Sequence, residues 1–329
     1  MNEEEIKSCC ADAYAKDVVA LLLGESYHPG GTRLTLRLAD RLGLAPGMRV
    51  LDVASGRGTT ALLLADRYQV RADGVDYAPT GVALAREAAE AAGLADRVSF
   101  TTGDAERLPY GDAVFDAVVC ECSLCVFPDK ARAAGEFARV LKPGGRVGVT
   151  DVIARPDRLP PELRGLGARI ACVADARPQS AYTAILAAAG LRTVATERHD
   201  RAMVRLIDQI EARLALVRRT APTRLAASGV DPASARDVLD AARAAVAGGD
   251  LGYLLLTAVR PARPATTAGA RPPDGGALRS CEGGGGTPAR PPDGPEGASP
   301  LRQCGPARGT PPLRPQETSP PARAPGRGP

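Results

Sequence analysis

The chain has 329 residues, of which 44% are hydrophobic and 24% are charged, and its net charge is +4. This length and composition allow one or two domains with a full hydrophobic core. The positive charge comes from residues 261–329, whereas residues 1–260 contain equal numbers of acidic and basic side chains. We therefore expect no nucleic-acid partner. Because no apolar run approaches the roughly 20 residues of a membrane span, we expect no membrane partner either.

Two helices are expected at the start of the chain. One runs through EIKSCCADAYAKDVVALLLG (residues 5–24), and another begins near Thr32, where leucines recur at spacings of four. We predict that residues 1–43 form N-terminal cap helices. The first ten residues, MNEEEIKSCC, carry acids where a signal peptide needs a basic and then an apolar start, which predicts a cytoplasmic protein.

Strand and helix patterns alternate regularly from Met48 onward. Buried strands are predicted at MRVLDVA, ADGVDYA, RVSFTT, DAVVCE and RVGVTDV. Helices are predicted between them at ALLLADRY, TGVALAREAAEAAG and DKARAAGEFARVL. Strands that alternate with helices imply right-handed crossovers and a parallel sheet with helices on both faces.

The chain after this core contributes the last predicted elements. A helical region (160–190) precedes the strand candidate LRTVATER, two further helical segments and a closing strand, LGYLLLTAV. We therefore predict one α/β domain over residues 44–260, with a doubly wound, Rossmann-like sheet of seven strands and an antiparallel last strand. Residues 261–329 contain 17 of the 29 prolines and a GGGG run, so we expect a disordered tail in which Cys281 and Cys304 have no role.

A glycine-rich turn follows the first strand in VLDVASGRGTT. Glycines there permit positive φ and let a ligand approach the backbone, at the edge of the sheet where ligands bind. Asp76 ends the second strand 20 residues after Gly56, a position from which a carboxylate accepts ribose hydroxyls. Asp104 follows the third strand, where it could accept from an adenine amino group. The absence of GK[ST], and Ala at position 61 in place of the last glycine of G-x-G-x-x-G, disfavour P-loop and dehydrogenase interpretations.

These motifs, with FDAVV and RVLKPGGRV after them, resemble the class I S-adenosylmethionine-dependent methyltransferases over about residues 44–155. The resemblance implies a methyltransferase with S-adenosyl-L-methionine as cofactor. It places the loop of acidic and glycine residues after the first strand at the methionine part of the cofactor. It places Asp76 at the ribose, and Asp104 with Ala105 at the adenine. The predicted cofactor-binding residues are Asp52, Ala54, Gly56, Gly58, Asp76, Tyr77, Asp104, Ala105 and Glu121. Ala54 replaces the first glycine of the common pattern.

Three cysteines lie in the stretch CECSLC at the end of the fourth strand. Alternation along a strand predicts that Cys120 and Cys122 face one way and Glu121 the other. Cys125 is expected in the loop that faces the crevice. Core packing remains the alternative, most of all for Cys120. Zinc is disfavoured because the paired CxxC spacing is missing and a closed site would block methyl transfer.

The later segments TDVIARPDRLPPELRG and IACVADARPQSAYTAILAAAGL add a second pattern. Four features follow one another here: a cysteine, T-D-V, an LP-x-E-L-R turn and a second cysteine. Their order is similar to that in the arsenite methyltransferases. That resemblance implies that Cys122, Cys172 and either Cys9 or Cys10 bind trivalent arsenic, with Cys125 competing for the role of Cys122. Thiolates are soft ligands that suit such a metalloid acceptor, and a thiol co-substrate is then expected. Direct displacement by the arsenic lone pair would need alignment but no general base.

Two other functions stay open. The first is a small-molecule C-, O- or N-methyltransferase acting on a quinone-like acceptor, in which the cysteines line the pocket and His28 or Glu121 handles the proton. The second is a non-catalytic thiol sensor for a metal or metalloid. His28 lies in ESYHPGGTRLT, where a turn before a helix is favoured over a substrate-gating loop. The sequence sets neither the acceptor nor the oligomeric state.

Overall fold

The structure is a computed structural model that describes residues 4, 7, 8, 27–164, 172–227 and 231–262. Most of the predicted first helix lies outside these residues, and so does the predicted tail beyond residue 262. Cys9, Cys10, Cys281 and Cys304 also lie outside them. Within the described part of the chain, no helix has the length and apolar character needed to cross a membrane.

Seven strands form one sheet. They are β1 (Arg49–Val53), β2 (Arg71–Asp76), β3 (Val98–Thr102), β4 (Phe115–Glu121), β5 (Leu141–Ala154), β6 (Arg192–Arg198) and β7 (Leu251–Val259). Their order across the sheet is β3-β2-β1-β4-β5-β7-β6. The pairs among β1 to β5 are parallel, and β7 is antiparallel to both of its neighbours. The predicted seven-stranded, doubly wound sheet with an antiparallel last strand is confirmed.

The helices follow the predicted order between the strands. They are α1 (Gly31–Leu42), α2 (Thr59–Tyr68), α3 (Pro79–Ala91), α4 (Lys130–Val140), α5 (Gln179–Ala188), α6 (Asp200–Thr220), α7 (Pro222–Ala227) and α8 (Pro232–Ala247). Short 3-10 turns lie at Leu124–Val126 and Pro161–Leu163. The described part of the helical region predicted at 160–190 therefore consists of a 3-10 turn and α5. Three helices, rather than the two predicted, separate β6 from β7.

Helix α1 packs directly on the sheet. The leucines predicted at spacings of four, Leu34, Leu38 and Leu42, are all buried and form the apolar face of the helix. A Cβ atom on Gly148 of β5 would lie 2.7 Å from Leu38 Cδ1. Glycine at this position therefore lets α1 approach the backbone of β5, and this contact brings the segment before α1 to the same part of the sheet.

The carboxyl ends of β1, β2, β4 and β5 lie along one edge of the sheet, which we call the ligand edge. β1 and β4 are neighbours in the middle of the sheet. The strand that follows β1 in the chain, β2, lies on one side of this pair, and the strand that follows β4, β5, lies on the other side. Ligands of open α/β sheets bind outside the strand ends at such a reversal. The connection from β6 to β7 lies at the same edge, because Arg198 pairs with Leu254 and Ala154 pairs with Leu251.

Candidate active site

The loop of residues 54–58, which we call the glycine loop, joins β1 to α2. Ala54, Gly56 and Gly58 have φ values of +59°, +53° and +81°. A Cβ atom on Gly58 would lie 2.5 Å from Phe100 Cζ, so both backbone conformation and packing require glycine there. The left-handed conformation costs a residue other than glycine about 1–2 kcal/mol, which is why glycine would suit position 54 better than Ala54. A Cβ atom on Gly56 would meet no atom within 4 Å, so the loop is open to a ligand at that point.

Asp76 orients this loop. Its Oδ2 accepts a hydrogen bond from the Gly56 N–H at 2.8 Å, and its Oδ1 accepts one from the Ala78 N–H at 2.8 Å. Burial raises the pKa of Asp76 although these bonds lower it. The backbone of Tyr77 also donates to Asp76. A carboxylate has about four acceptor positions, so about one remains for a ribose hydroxyl. Tyr77 follows it and is half-buried.

Asp52 is buried beneath the start of α2. Its Oδ2 accepts a hydrogen bond from the Ala61 N–H at 3.1 Å. Burial, and then the negative charge of Glu121, raise the pKa of Asp52 well above its ordinary value. Two carboxyl groups that repel each other in a buried pocket provide an environment that favours a cationic ligand.

Asp104 and Ala105 lie beyond the end of β3, as predicted. Asp104 Oδ1 accepts a hydrogen bond from the Glu106 N–H at 2.9 Å, and its Oδ2 accepts one from Lys7 Nζ at 2.9 Å. Ala105 is buried. The Asp104 side chain is 29% exposed, so a ligand can reach it.

Glu121 ends β4 and accepts three hydroxyl hydrogen bonds. Its Oε2 accepts from Thr60 at 2.7 Å and from Thr35 at 2.9 Å, and its Oε1 accepts from Thr150 at 3.3 Å. His28 Nε2 lies 3.2 Å from Thr35 Oγ1 and 3.6 Å from Glu121 Oε2. This network joins the segment before α1 to α1, α2, β4 and β5 beside the glycine loop.

Sequence reasoning missed this network. The sequence favours a turn at His28 and leaves proton transfer by His28 or Glu121 as an alternative, but it does not pair the two residues or single out Thr35 and Thr60. The imidazole is buried and lies against a carboxylate 93 positions away in the chain. The available signal was that the chain has two histidines, which makes each one a candidate acid or base.

Cys122 does not continue the strand. β4 ends at Glu121, and Cys122 has a left-handed φ of +53°. Its N–H donates a hydrogen bond to the Thr150 carbonyl at 2.6 Å. The prediction that Cys120 and Cys122 share one strand face is therefore wrong, because the chain turns between them. Cys120 is fully buried in the apolar core, which agrees with the packing alternative.

Cys122, Cys125 and Cys172 come together, and we call them the thiol cluster. The Cys172 thiol donates to the Cys122 carbonyl at 3.2 Å. The hydrogen bond with Cys172, together with burial, raises the pKa of the Cys122 thiol, and burial followed by the same kind of bond raises that of Cys125. Cys125, predicted to face the crevice, is fully buried. None of these thiols forms a disulfide.

Asp151 lies against the thiol cluster. Its Oδ2 accepts a hydrogen bond from the Cys125 N–H at 2.8 Å. Burial, and then the electrostatic interaction with Cys172, raise the pKa of Asp151 to about 7. Among the described residues, no three His, Cys, Asp or Glu side chains are arranged to hold a metal ion. Cys9 and Cys10, the other predicted arsenic ligands, lie outside those residues.

Comparison with known proteins agrees with this geometry. Residues 50–145 match the family described as a methyltransferase domain. The crystal structure of the [4+2]-cyclase SpnF is similar, with 30% sequence identity and a TM-score of 0.60, and the match covers 73% of this chain and 85% of that chain. The chain belongs to the class I S-adenosylmethionine-dependent methyltransferase family.

Two curated relatives carry more specific names. The 27-O-demethylrifamycin SV methyltransferase of Amycolatopsis mediterranei is 38% identical over 157 residues, which are 44% of this chain and 57% of that protein. The demethylmenaquinone methyltransferase of Deinococcus radiodurans is 46% identical over 110 residues, 33% of this chain and 44% of that protein. The chain thus spans about half the length of the curated relatives it matches.

The cofactor of this family is S-adenosyl-L-methionine, and the residues present fit it. The open glycine loop and the acidic pocket of Asp52 suit a methionine part that carries a positive sulfonium. Asp76 retains an acceptor position for a ribose hydroxyl, and Asp104 retains acceptor positions for an amino group.

Proposed function

We propose that this protein transfers the methyl group of S-adenosylmethionine to an oxygen or an acidic carbon of a small organic acceptor, with His28 as general base. The observation that carries the proposal is the network of His28, Thr35 and Glu121 beside the glycine loop. Bound cofactor supplies an electrophilic methyl group. The residues of the chain then have to align the acceptor and remove its proton.

The position of Glu121 supports this division of roles. Thr60, in the first turn of α2, donates to Glu121 at 2.7 Å, so the carboxylate lies next to the loop that would hold the methionine part. The negative charges of Glu121 and Asp52 favour a sulfonium in this pocket. The sulfonium of the cofactor and a protonated His28 would both be stabilised by the negative charge of Glu121.

The surroundings of His28 suit a protonated imidazole. Its Nδ1 lies 3.3 Å from the Pro29 carbonyl oxygen, and its Nε2 lies 3.2 Å from Thr35 Oγ1. Because the Thr35 hydroxyl donates to Glu121, its oxygen can accept from the imidazole N–H. In the neutral imidazole, Nδ1 can donate to the Pro29 carbonyl while Nε2 keeps the lone pair that takes the proton of the methyl acceptor. Glu121 would then stabilise the imidazolium that forms.

The nature of the acceptor is supported by the relatives. Both curated relatives named above are named for an organic acceptor, a rifamycin in one case and a demethylmenaquinone in the other. In this chain, α6, α7 and α8 connect β6 to β7 at the ligand edge, where they can supply the walls of an acceptor pocket.

The test is a methyl-transfer assay with labelled S-adenosylmethionine and a panel of phenols, quinols and aliphatic alcohols. We expect His28→Gln to lower kcat by about 100-fold or more while the cofactor affinity changes little. His199→Gln is the matched control, since His199 Nε2 also lies near a glutamate, 3.3 Å from Glu197 Oε2. Equal loss in both variants, or none in His28→Gln, would contradict the role of His28.

Arsenite is the second candidate acceptor, and the thiol cluster favours it. Against it stand the burial of Cys125 and Cys172 and the raised pKa of the Cys122 and Cys125 thiols, because the thiolate is the species that binds a soft ion. The test supplies arsenite, a thiol and labelled cofactor. Methylated arsenic that disappears in Cys122→Ser and Cys172→Ser would support arsenite. Full turnover of an organic acceptor by both variants would favour the organic acceptor, and absence of methylated arsenic with the wild-type chain would rule out arsenite. Cofactor binding without transfer to any acceptor would favour the thiol sensor.

A further inference from the structure

Lys7 lies at the adenine end of the proposed cofactor site. Its Nζ is 2.9 Å from Asp104 Oδ2 and 2.5 Å from Glu106 Oε2. The ammonium group is well shielded, since the Lys7 side chain is 14% exposed and that of Glu106 is 6% exposed. Nothing in the sequence pairs these residues, because 97 positions separate Lys7 from Asp104.

The two carboxylates depend on this one ammonium group. Glu106 Oε1 accepts a hydrogen bond from the Asp129 N–H at 2.9 Å, and Asp104 Oδ1 accepts one from the Glu106 N–H. Without Lys7, two negative charges would face each other at this loop and repel. Burial lowers the pKa of Lys7, but its hydrogen bonds to Asp104 and Glu106 and their charges outweigh burial and raise it overall. The ammonium therefore stays charged at neutral pH.

We infer that Lys7 is a positioning residue for the adenine end of the cofactor. It holds the Asp104 carboxylate in the orientation that accepts a hydrogen bond from the exocyclic amino group. This inference rests on the proposed function, since that function places adenine at Asp104. Each Asp104 oxygen accepts one hydrogen bond in the structure, and a carboxylate oxygen has about two acceptor positions. Lys7 and an adenine amino group can therefore bind the same carboxylate together.

The experiment measures the affinity of the full chain for S-adenosylhomocysteine by titration calorimetry. We expect Lys7→Met to weaken binding by about five- to tenfold at low salt, with a smaller loss at high salt. Lys7→Arg, which keeps the charge, should recover most of the affinity. Lys142→Met is the matched control, because Lys142 pairs with Asp116 at 2.7 Å near the opposite edge of the sheet. The affinity of Lys142→Met for S-adenosylhomocysteine should change by less than about twofold.

A second ligand separates positioning from a general structural role. S-inosylhomocysteine carries a carbonyl oxygen in place of the exocyclic amino group, so the wild-type chain should bind it more weakly than S-adenosylhomocysteine. In Lys7→Met this preference should shrink. Equal weakening of both ligands, unchanged affinity or tighter binding in Lys7→Met would overturn the role of Lys7 alone. A wild-type chain that binds neither S-adenosylmethionine nor S-adenosylhomocysteine would overturn the proposed function as well.

Discussion

The two halves of the ligand edge are built in different ways. In the cofactor half, formed by the glycine loop and the ends of β2 and β3, backbone N–H groups donate to nearby carboxylates, as Gly56 does to Asp76. In the acceptor half, formed by the ends of β4 and β5, side chains from distant segments meet. His28 lies against Glu121, and Cys172 lies against Cys122, 50 positions away. Local backbone geometry thus defines most of the cofactor half, where Lys7 adds one contact from a distant segment, whereas tertiary packing defines the acceptor half.

The largest effect is expected in the cofactor half, for Gly58→Val. The new side chain would combine a left-handed backbone with a clash against Phe100, whose Cζ would lie 2.5 Å from the added Cβ atom. We expect the free energy of unfolding to fall by about 4 kcal/mol, measured by urea denaturation. Gly144→Val is the control, because Gly144 has φ +83° but no neighbour within 4 Å of its Cβ position. Similar losses of unfolding free energy in both variants would mean that Phe100 moves aside and that the clash adds no cost.

Glu121→Gln tests whether Glu121 acts in the acceptor half, in proton transfer, or in the cofactor half, in cofactor binding. Glutamine keeps the shape but removes the charge beside His28 and replaces one acceptor oxygen with a donor. We expect kcat to fall by about 100-fold, equivalent to about 2.7 kcal/mol, with the affinity for S-adenosylhomocysteine, which lacks the sulfonium charge, nearly unchanged. The control is Glu197→Gln, which removes the carboxylate beside His199. If affinity for S-adenosylhomocysteine falls and kcat does not, Glu121 is the cofactor-binding residue that the sequence predicted.

Asp151 gives the acceptor half a pH dependence. Its pKa of about 7 in the folded chain exceeds the value of about 3.9 in the unfolded chain. The folded state therefore binds the proton more tightly, and the stabilisation present below about pH 4 is lost as the pH rises to about 7. Relative to Asp151→Asn, wild-type stability should fall by about 2 kcal/mol between about pH 5 and pH 8 in urea denaturation.

The control for this pH effect is Asp116→Asn. Burial raises the pKa of Asp116, but hydrogen bonds from Arg49 and Lys142 outweigh burial and lower it overall. Its carboxyl group therefore does not titrate over that pH range, and the stability difference from wild type should stay constant. A constant difference for Asp151→Asn too would show that Asp151 stays ionised throughout.

The strand ends and the loop of the cofactor half could be predicted from the sequence because their signals are local. Strand periodicity gives the ends of β1 and β2, and the glycine spacing gives the loop between β1 and α2. The acceptor half could not be predicted in the same way. Alternation failed at Cys122 because a single left-handed residue turns the chain. Lys7 and His28 could not be assigned to partners, since the packing of the N-terminal residues against the sheet decides which carboxylate each one meets.

The position of β7 also affects the order in which the molecule can assemble. β7 is the last of these seven strands to be synthesised, yet it lies inside the sheet and pairs with both β5 and β6. On the ribosome, β1 to β5 can pair as soon as they emerge, whereas β6 has no neighbour until residue 259 is available. The acceptor half of a nascent chain therefore exposes unpaired strand edges for longer than the cofactor half, and we expect chaperones to bind it there.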